Sequence, residues 1–239
     1  MWGILKNDCY TSKKELAVTC IGLIFTSALF MIKIPPSAME DLVIALLLNF
    51  GYVFLSFIIF IEYGSLITSM ILKNENPTWQ SFIGTTKLGQ KGYITQKYNF
   101  SVVLYVIAAG HALLINSIAN KINGVSVSRS FIFLFFLFFV VQAAFELPCL
   151  LRFGAMYGNY IKIGLVMTIF FGLIIYGLYG NNPIFSEKNQ DKMIDWALRI
   201  VSEGLNGPTA KRGLLIAGIV TVVLYGVSYE VSILTRKKS

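Results

Sequence analysis

Six apolar stretches, each close to the thickness of a bilayer core, limit this chain more than any other feature. The hydrocarbon layer is about 30 Å deep and a helix rises about 1.5 Å per residue, so about 20 apolar residues cross it. Residues 16–34, 42–72, 100–118, 131–151, 161–178 and 214–233 fit that requirement. The second is longer than a bilayer needs, so it should tilt or project past the surface. Lipid offers no partner to backbone N–H and C=O groups, so such stretches must be helical. Only 13% of residues are charged and the mean hydropathy is +0.69, whereas soluble domains carry about 25% charged residues. A soluble globule of this length cannot hide so much apolar surface, which excludes a soluble enzyme, a disordered tail and a disulfide-stapled domain. The expected fold is an all-α polytopic membrane protein, one transmembrane domain over residues 1–239.

The charges set the orientation. With both termini in the cytoplasm, the inner segments hold twelve Lys and Arg against three acids, and the outer segments eight against six. Five of those eight outer cations share one long loop, so the inside-positive rule favours cytoplasmic termini. The formal charge of +8 is thus arranged by a bilayer, and no nucleic-acid partner is expected. Basic residues precede the first apolar run, but no small-x-small site ends it, so no cleavable leader is expected. Three segments remain outside the spans. Residues 1–14 interleave Trp2, Ile4, Leu5 and Tyr10 with polar residues, as in a helix lying on the inner membrane face. Residues 73–98 form the only sizeable cytoplasmic loop, and 180–212 a long extracellular one. Within the latter, Met193, Trp196, Ala197 and Ile200 recur at helical spacing and predict an amphipathic helix.

Catalytic signals are weak. The chain has one histidine, no H-E-x-x-H, no G-x-S-x-G and no clustered metal ligands. Cys9, Cys20 and Cys149 are an odd number, and two lie in apolar runs, as small core residues do. Gly84 to Lys91 has the spacer of a P-loop but lacks the Gly-Lys-Ser/Thr ending, so no nucleotide site is read there. Polar groups inside spans cost free energy and therefore inform. Glu62, Glu146 and Glu230 all fall toward the cytoplasmic side, with Arg152, Lys162 and Arg236 nearby in sequence. Two readings stand: interfacial ion pairs that anchor helix ends, or a charged cytoplasmic gate. His111 is expected to serve as an interhelical hydrogen-bond donor, with a proton relay as the other reading. It joins Glu62, Glu146, Glu230 and Arg152 among the gate candidates. Pro148 should kink the fourth span and free a backbone carbonyl. Gly154 and Gly158 suit either a close helix approach or a tight reversal. The aromatic run from Phe131 to Phe139 covers every face of its helix and needs no ligand to explain it.

Two stretches go beyond generic membrane composition: Asn76-Pro77-Thr78-Trp79 with Gly84 to Ile94 and Lys97-Tyr98, and Pro148-Cys149-Leu150-Leu151-Arg152-Phe153-Gly154. With the start Trp2-Gly3-Ile4-Leu5-Lys6-Asn7-Asp8, they resemble the permease subunits of bacterial ATP-binding-cassette (ABC) exporters. The likeness is to permeases for amphipathic peptide toxins of the phenol-soluble modulin kind. The chain departs from that pattern at Thr85-Thr86-Lys87-Leu88, where the family commonly has a Leu-Pro pair.

The resemblance implies a type V exporter fold in the bacterial plasma membrane. Two six-span permeases, identical or different, would face each other, each resting on a separate ATPase subunit that holds ATP and Mg. This chain would then be non-catalytic, with no cofactor of its own, and would pass amphipathic peptides or other amphiphiles outward through the lipid. ATPase coupling would fall to Thr85, Thr86, Lys87, Leu88, Lys91 and Tyr93, and extracellular closure to Met193, Trp196 and Ile200. Aromatic and aliphatic groups in that loop suit burial against a partner, and its lysines suit steering. The alternative is a six-span substrate-binding module of the vitamin-uptake type, which needs a compact polar pocket facing outward. An intramembrane enzyme would need a catalytic pair, which a lone His111 and scattered acids do not supply.

Overall fold

A computed structural model describes residues 10, 12–35, 42–72, 85, 89–124, 127–179 and 208–236. Their secondary structure is helical, in five elements: α1 (Lys13–Phe30), α2 (Leu42–Leu72), α3 (Gly89–Asn123), α4 (Arg129–Tyr179) and α5 (Pro208–Arg236). Four helical stretches are long and apolar enough to cross a membrane: Leu48–Met70, Gly89–Asn123, Arg129–Gly154 and Lys211–Thr235. The protein is membrane-embedded. The greater part of the proposed N-terminal interfacial helix, most of the cytoplasmic loop and the extracellular helix with Met193, Trp196 and Ile200 lie outside the described residues.

Each boundary has a local cause. The apolar run of the first span extends to Ile34, yet α1 ends at Phe30. Met31 N–H donates to the Ala28 carbonyl (3.0 Å) and Ile32 N–H to that of Leu29 (3.4 Å), tightening the last turn. Pro35 and Pro36 follow, and a residue before proline is pushed out of the helical region. At its start, α3 reaches back ten residues into what hydropathy reads as loop. Tyr93, Ile94, Lys97, Tyr98 and Ser101 are all buried there, at the spacing of one helical face. Packing extends this helix where composition stops it.

Helix α4 carries the fourth and fifth apolar runs and is interrupted at Gly154, with φ 77° and ψ 178°. Pro148 stays inside the helix, so the non-helical dihedrals fall six residues beyond the expected kink. A continuous helix would set residue 158 about 13 Å from residue 149. Instead, a Cβ built on Gly158 would lie 2.8 Å from the Cys149 carbonyl oxygen and 2.9 Å from Leu150 Cα. The chain therefore doubles back, and the two glycines make the tight reversal.

Contacts between helices give their directions. Phe30 meets Tyr52, His111 meets Tyr63, and Lys97 meets Met70, so α1 and α3 both run antiparallel to α2. Phe57 meets Phe135 and Thr68 meets Glu146, so the first arm of α4 runs parallel to α2. The phenylalanine run divides accordingly. Phe135 and Phe139 pack on Phe57 and Phe60, with centroids 5.2–6.2 Å apart, while Phe133 and Phe138 stay exposed. Val18, Ile21, Ile24 and Phe25 on α1, and Ile219, Val222 and Val223 on α5, also face outward. In a bilayer those faces meet lipid.

Candidate functional site

Polar side chains inside the bundle gather at three levels along the helices. At the level of Tyr52 and Asn123, the Asn123 amide ties down the chain that leaves α1. Its Nδ2 donates to the Ile32 carbonyl and to Tyr52 Oη, both at 2.8 Å, and its Oδ1 accepts from Ile34 N–H at 3.0 Å. One turn or two inward, Asn116 Nδ2 donates to Ser56 Oγ (3.0 Å) and to the Ala112 carbonyl (2.8 Å).

The middle level joins α1, α2 and α3. Thr26 Oγ1 donates to Glu62 Oε1 at 3.0 Å, and that oxygen rests where a Cβ on Gly22 would come within 2.8 Å. Glu62 Oε2 is buried without a hydrogen-bond partner. Beside it, His111 Nε2 meets Ser27 Oγ at 3.0 Å and Nδ1 meets Tyr63 Oη at 3.4 Å. Two hydroxyls thus satisfy both ring nitrogens, whichever carries the proton. His111 is an interhelical partner, as its place in an apolar span implied.

The third level lies at the far end of α2. Thr68 Oγ1 donates to Glu146 Oε1 at 2.7 Å, and Glu146 is buried. Lys97, only 2% exposed, sends its ammonium to the Met70 carbonyl (3.4 Å) and over the Tyr93 ring (5.1 Å). Met70 belongs to the last turn of α2, whose carbonyls carry partial negative charge, so Lys97 caps that helix from its neighbour. The charge count had placed Lys97 in the cytoplasmic loop.

At the same level a hydroxyl chain crosses from α3 to α5. Tyr98 Oη lies 2.6 Å from Ser228 Oγ and 2.8 Å from Ser232 Oγ, and Ser228 Oγ donates to the Ala144 carbonyl. Each hydroxyl owns one proton, which fixes the direction. Ser228 gives its proton to Ala144, so Tyr98 donates to Ser228 and Ser232 donates to Tyr98. The acceptor at the end has a cause in the sequence. Pro148 has no N–H, so the carbonyl four residues earlier, Ala144, loses its helical partner; Ser228 replaces it. Tyr225 Oη donates to the Tyr98 carbonyl (2.7 Å) and Thr95 Oγ1 meets Tyr229 Oη (2.8 Å), completing the seam.

No family model, curated protein or solved structure matches this chain. The three intramembrane carboxylates do not converge: Glu62 faces α1, Glu146 faces α2, and Glu230 is exposed on α5. Of the two cations expected beside Glu146, Arg152 is exposed with its guanidinium over Phe153 at 5.1 Å, and the side chain of Lys162 lies outside the described residues. Rotation around the helix explains the exposure of Arg152, since six residues is 600° and turns it away from Glu146. Among the loop residues, Thr85 and Lys91 are exposed, Tyr93 is 4% exposed within the core, and Thr86, Lys87 and Leu88 lie outside the described residues. Among the described residues no group of three His, Cys, Asp or Glu gathers for a metal.

The hydroxyl seam was not singled out from sequence, although its signal is present. Tyr225, Ser228, Tyr229 and Ser232 stand at i, i+3, i+4 and i+7 on a largely apolar helix, which is one polar stripe. Thr26 and Ser27 gave no such warning.

Proposed function

We propose that the chain is the permease subunit of an ATP-driven ABC exporter that moves amphipathic peptides or similar amphiphiles outward across the bacterial plasma membrane. The observation that carries this reading is the reversal at Gly154. It divides α4 into two arms, one carrying the fourth apolar run and one the fifth, and this supports a reading with six spans and both termini in the cytoplasm. The residues of the reversal, Pro148 to Gly154, are also those that carry the family likeness. The type V arrangement, the partner ATPase and the second permease follow from that likeness.

In this reading ATP and Mg act on the partner ATPase, and closure of that partner pushes on the loop 73–98. Lys97 and Glu146 link the inner end of α2 to α3 and α4, so a push at the start of α3 reaches three spans together. Tyr93 serves this internal packing, which leaves the exposed Thr85 and Lys91 to face the partner. Reversing the charge of Lys87 and Lys91 together should abolish co-purification of the ATPase while the chain's melting temperature holds. Rim charges set docking, and Lys91 is exposed. Undiminished co-purification and coupled ATPase activity would remove the coupling assignment.

The topology has its own check. A cysteine at Asn189, in the 180–212 loop, should react with an impermeant maleimide in intact cells. Labelling only after permeabilisation would reverse the inside-positive assignment.

One observation favours the alternative, a substrate-binding module without export. A cavity of about 320 Å³ opens between the end of α3 and the start of α4, lined by Asn116, Ser117, Asn120, Ser128 and Arg129. In the proposed topology it faces outward. Retention of an ATPase through the 73–98 loop, with stimulation by amphipathic peptides, separates the exporter from that module.

A further inference from the structure

The contact between α1 and α2 holds a carboxyl group that no cation among the described residues meets. Glu62 lies three residues from the midpoint of the span Leu48–Met70, about 5 Å along the axis. Its Oε1 takes the Thr26 hydroxyl, its Oε2 is buried without a partner, and Gly22 leaves the space in which the carboxyl rests. Larger side chains at position 22 would occupy that space. The titratable groups on the helices around it are Cys20 on α1, Tyr63 on α2, His111 on α3 and, from α4, Glu146. His111 is engaged by Ser27 and Tyr63, and Glu146 by Thr68 six residues further along α2. No Lys or Arg among the described residues bonds Glu62.

An ionised carboxylate with one hydroxyl donor and no cation is costly inside a bilayer, whereas the neutral acid is tolerated. We propose that Glu62 is a proton-binding site, and that its proton locks α1 onto the bundle. With the proton bound, the group is neutral and α1 lies over it. When the proton leaves, the carboxylate needs water, and Gly22 and Thr26 stand in the way, so α1 lifts. The far end of α1 stays fixed by Phe30 against Tyr52 and by Asn123 on the Ile32 carbonyl. The stretch around Gly22 and Thr26, with an exposed apolar outward face and the Ser27–His111 hydrogen bond, lifts about that end. The sign is fixed by linkage. A proton bound in the closed form and released in the open form makes opening rise tenfold per pH unit above the titration point. This proposal rests on the α1–α2 contact alone, so it and the exporter reading can fail separately.

The test uses the full chain in lipid nanodiscs. Infrared spectra at neutral pH should contain a protonated carboxyl C=O band that disappears in Glu62→Gln and persists in Glu146→Gln. Amide hydrogen exchange of Lys13–Phe30, corrected for the intrinsic pH dependence of exchange, should quicken tenfold per pH unit at alkaline pH. In Glu62→Gln the corrected rate should be flat. Gly22→Ala keeps every titratable group but crowds the carboxyl from its cradle, so its α1 exchange should already be fast at neutral pH. This second variant serves if the first does not fold. A wild type lacking the Glu62 band overturns the proposal, as does corrected exchange of α1 that is independent of pH or unchanged by both substitutions.

Discussion

Gly158→Ala should destabilise the protein more than any other single-methyl addition in the described helices. The new Cβ would fall 2.8 Å from the Cys149 oxygen and 2.9 Å from Leu150 Cα, both backbone atoms that no rotamer change can move. Relief requires the two arms of α4 to separate, and Gly154, whose φ of 77° makes the turn, sits between them. Overpacking of this kind costs about 3 kcal/mol, expected here as a large fall in melting temperature in detergent and poor recovery of folded protein. Gly164 is the control, because a Cβ there meets nothing within 4 Å. Gly164→Ala should be neutral or slightly stabilising, since alanine is the better helix former. Equal melting temperatures for the two variants would show that the arms do not press together at Gly158.

Ser228→Ala should cost about 1–2 kcal/mol, the range for an interhelical hydrogen bond in a membrane and for a buried polar group left unpaired. The hydroxyl stands between two partners: it accepts from Tyr98 and donates to the Ala144 carbonyl. Tyr98 has Ser232 as a second partner, but the Ala144 carbonyl has lost its ordinary helical donor, because Pro148 cannot donate to it. That dependence makes a sharper test than the single variant. Pro148→Ala restores the N–H that the Ala144 carbonyl lacks, so the cost of removing the Ser228 hydroxyl should fall by about 1 kcal/mol in the Pro148→Ala background. Thermal or denaturant unfolding of the four proteins of the cycle measures it. Additive costs would mean that Ser228 does not answer the proline.

Both experiments concern the region around Pro148 to Gly158, where local sequence and tertiary structure meet. Proline lacks a donor whatever surrounds it, so the freed carbonyl was legible from residue 148 alone. Which group would reach it was not legible, since Ser228 lies 84 residues from Ala144 and hydroxyls are common on membrane helices. The paired glycines likewise left two readings open. The positive φ at Gly154 and the close approach at Gly158 decide for the reversal.

The carboxylates separate the two sources of information more sharply. Formal charge and hydropathy located Glu62 and Glu146 inside apolar runs and made them sites of interest, but they offered only the cations in view as partners. The structure gives Glu62 and Glu146 hydroxyl donors, Thr26 and Thr68, and sends Arg152 to an aromatic ring. Threonine passes unnoticed in a charge count because it is neutral and short. Lys97 is the converse case: a cation counted with the loop, it is buried against the end of α2.

The sequence by itself determined that the described segments are helical and that four of these stretches are suited to a bilayer, because apolar length and backbone hydrogen bonding are local requirements that each of the four meets alone. Only the tertiary structure decided which polar groups pair. That depends on how each helix is rotated about its axis and set along its neighbour, and a turn of 100° per residue carries a side chain from a partner to the lipid.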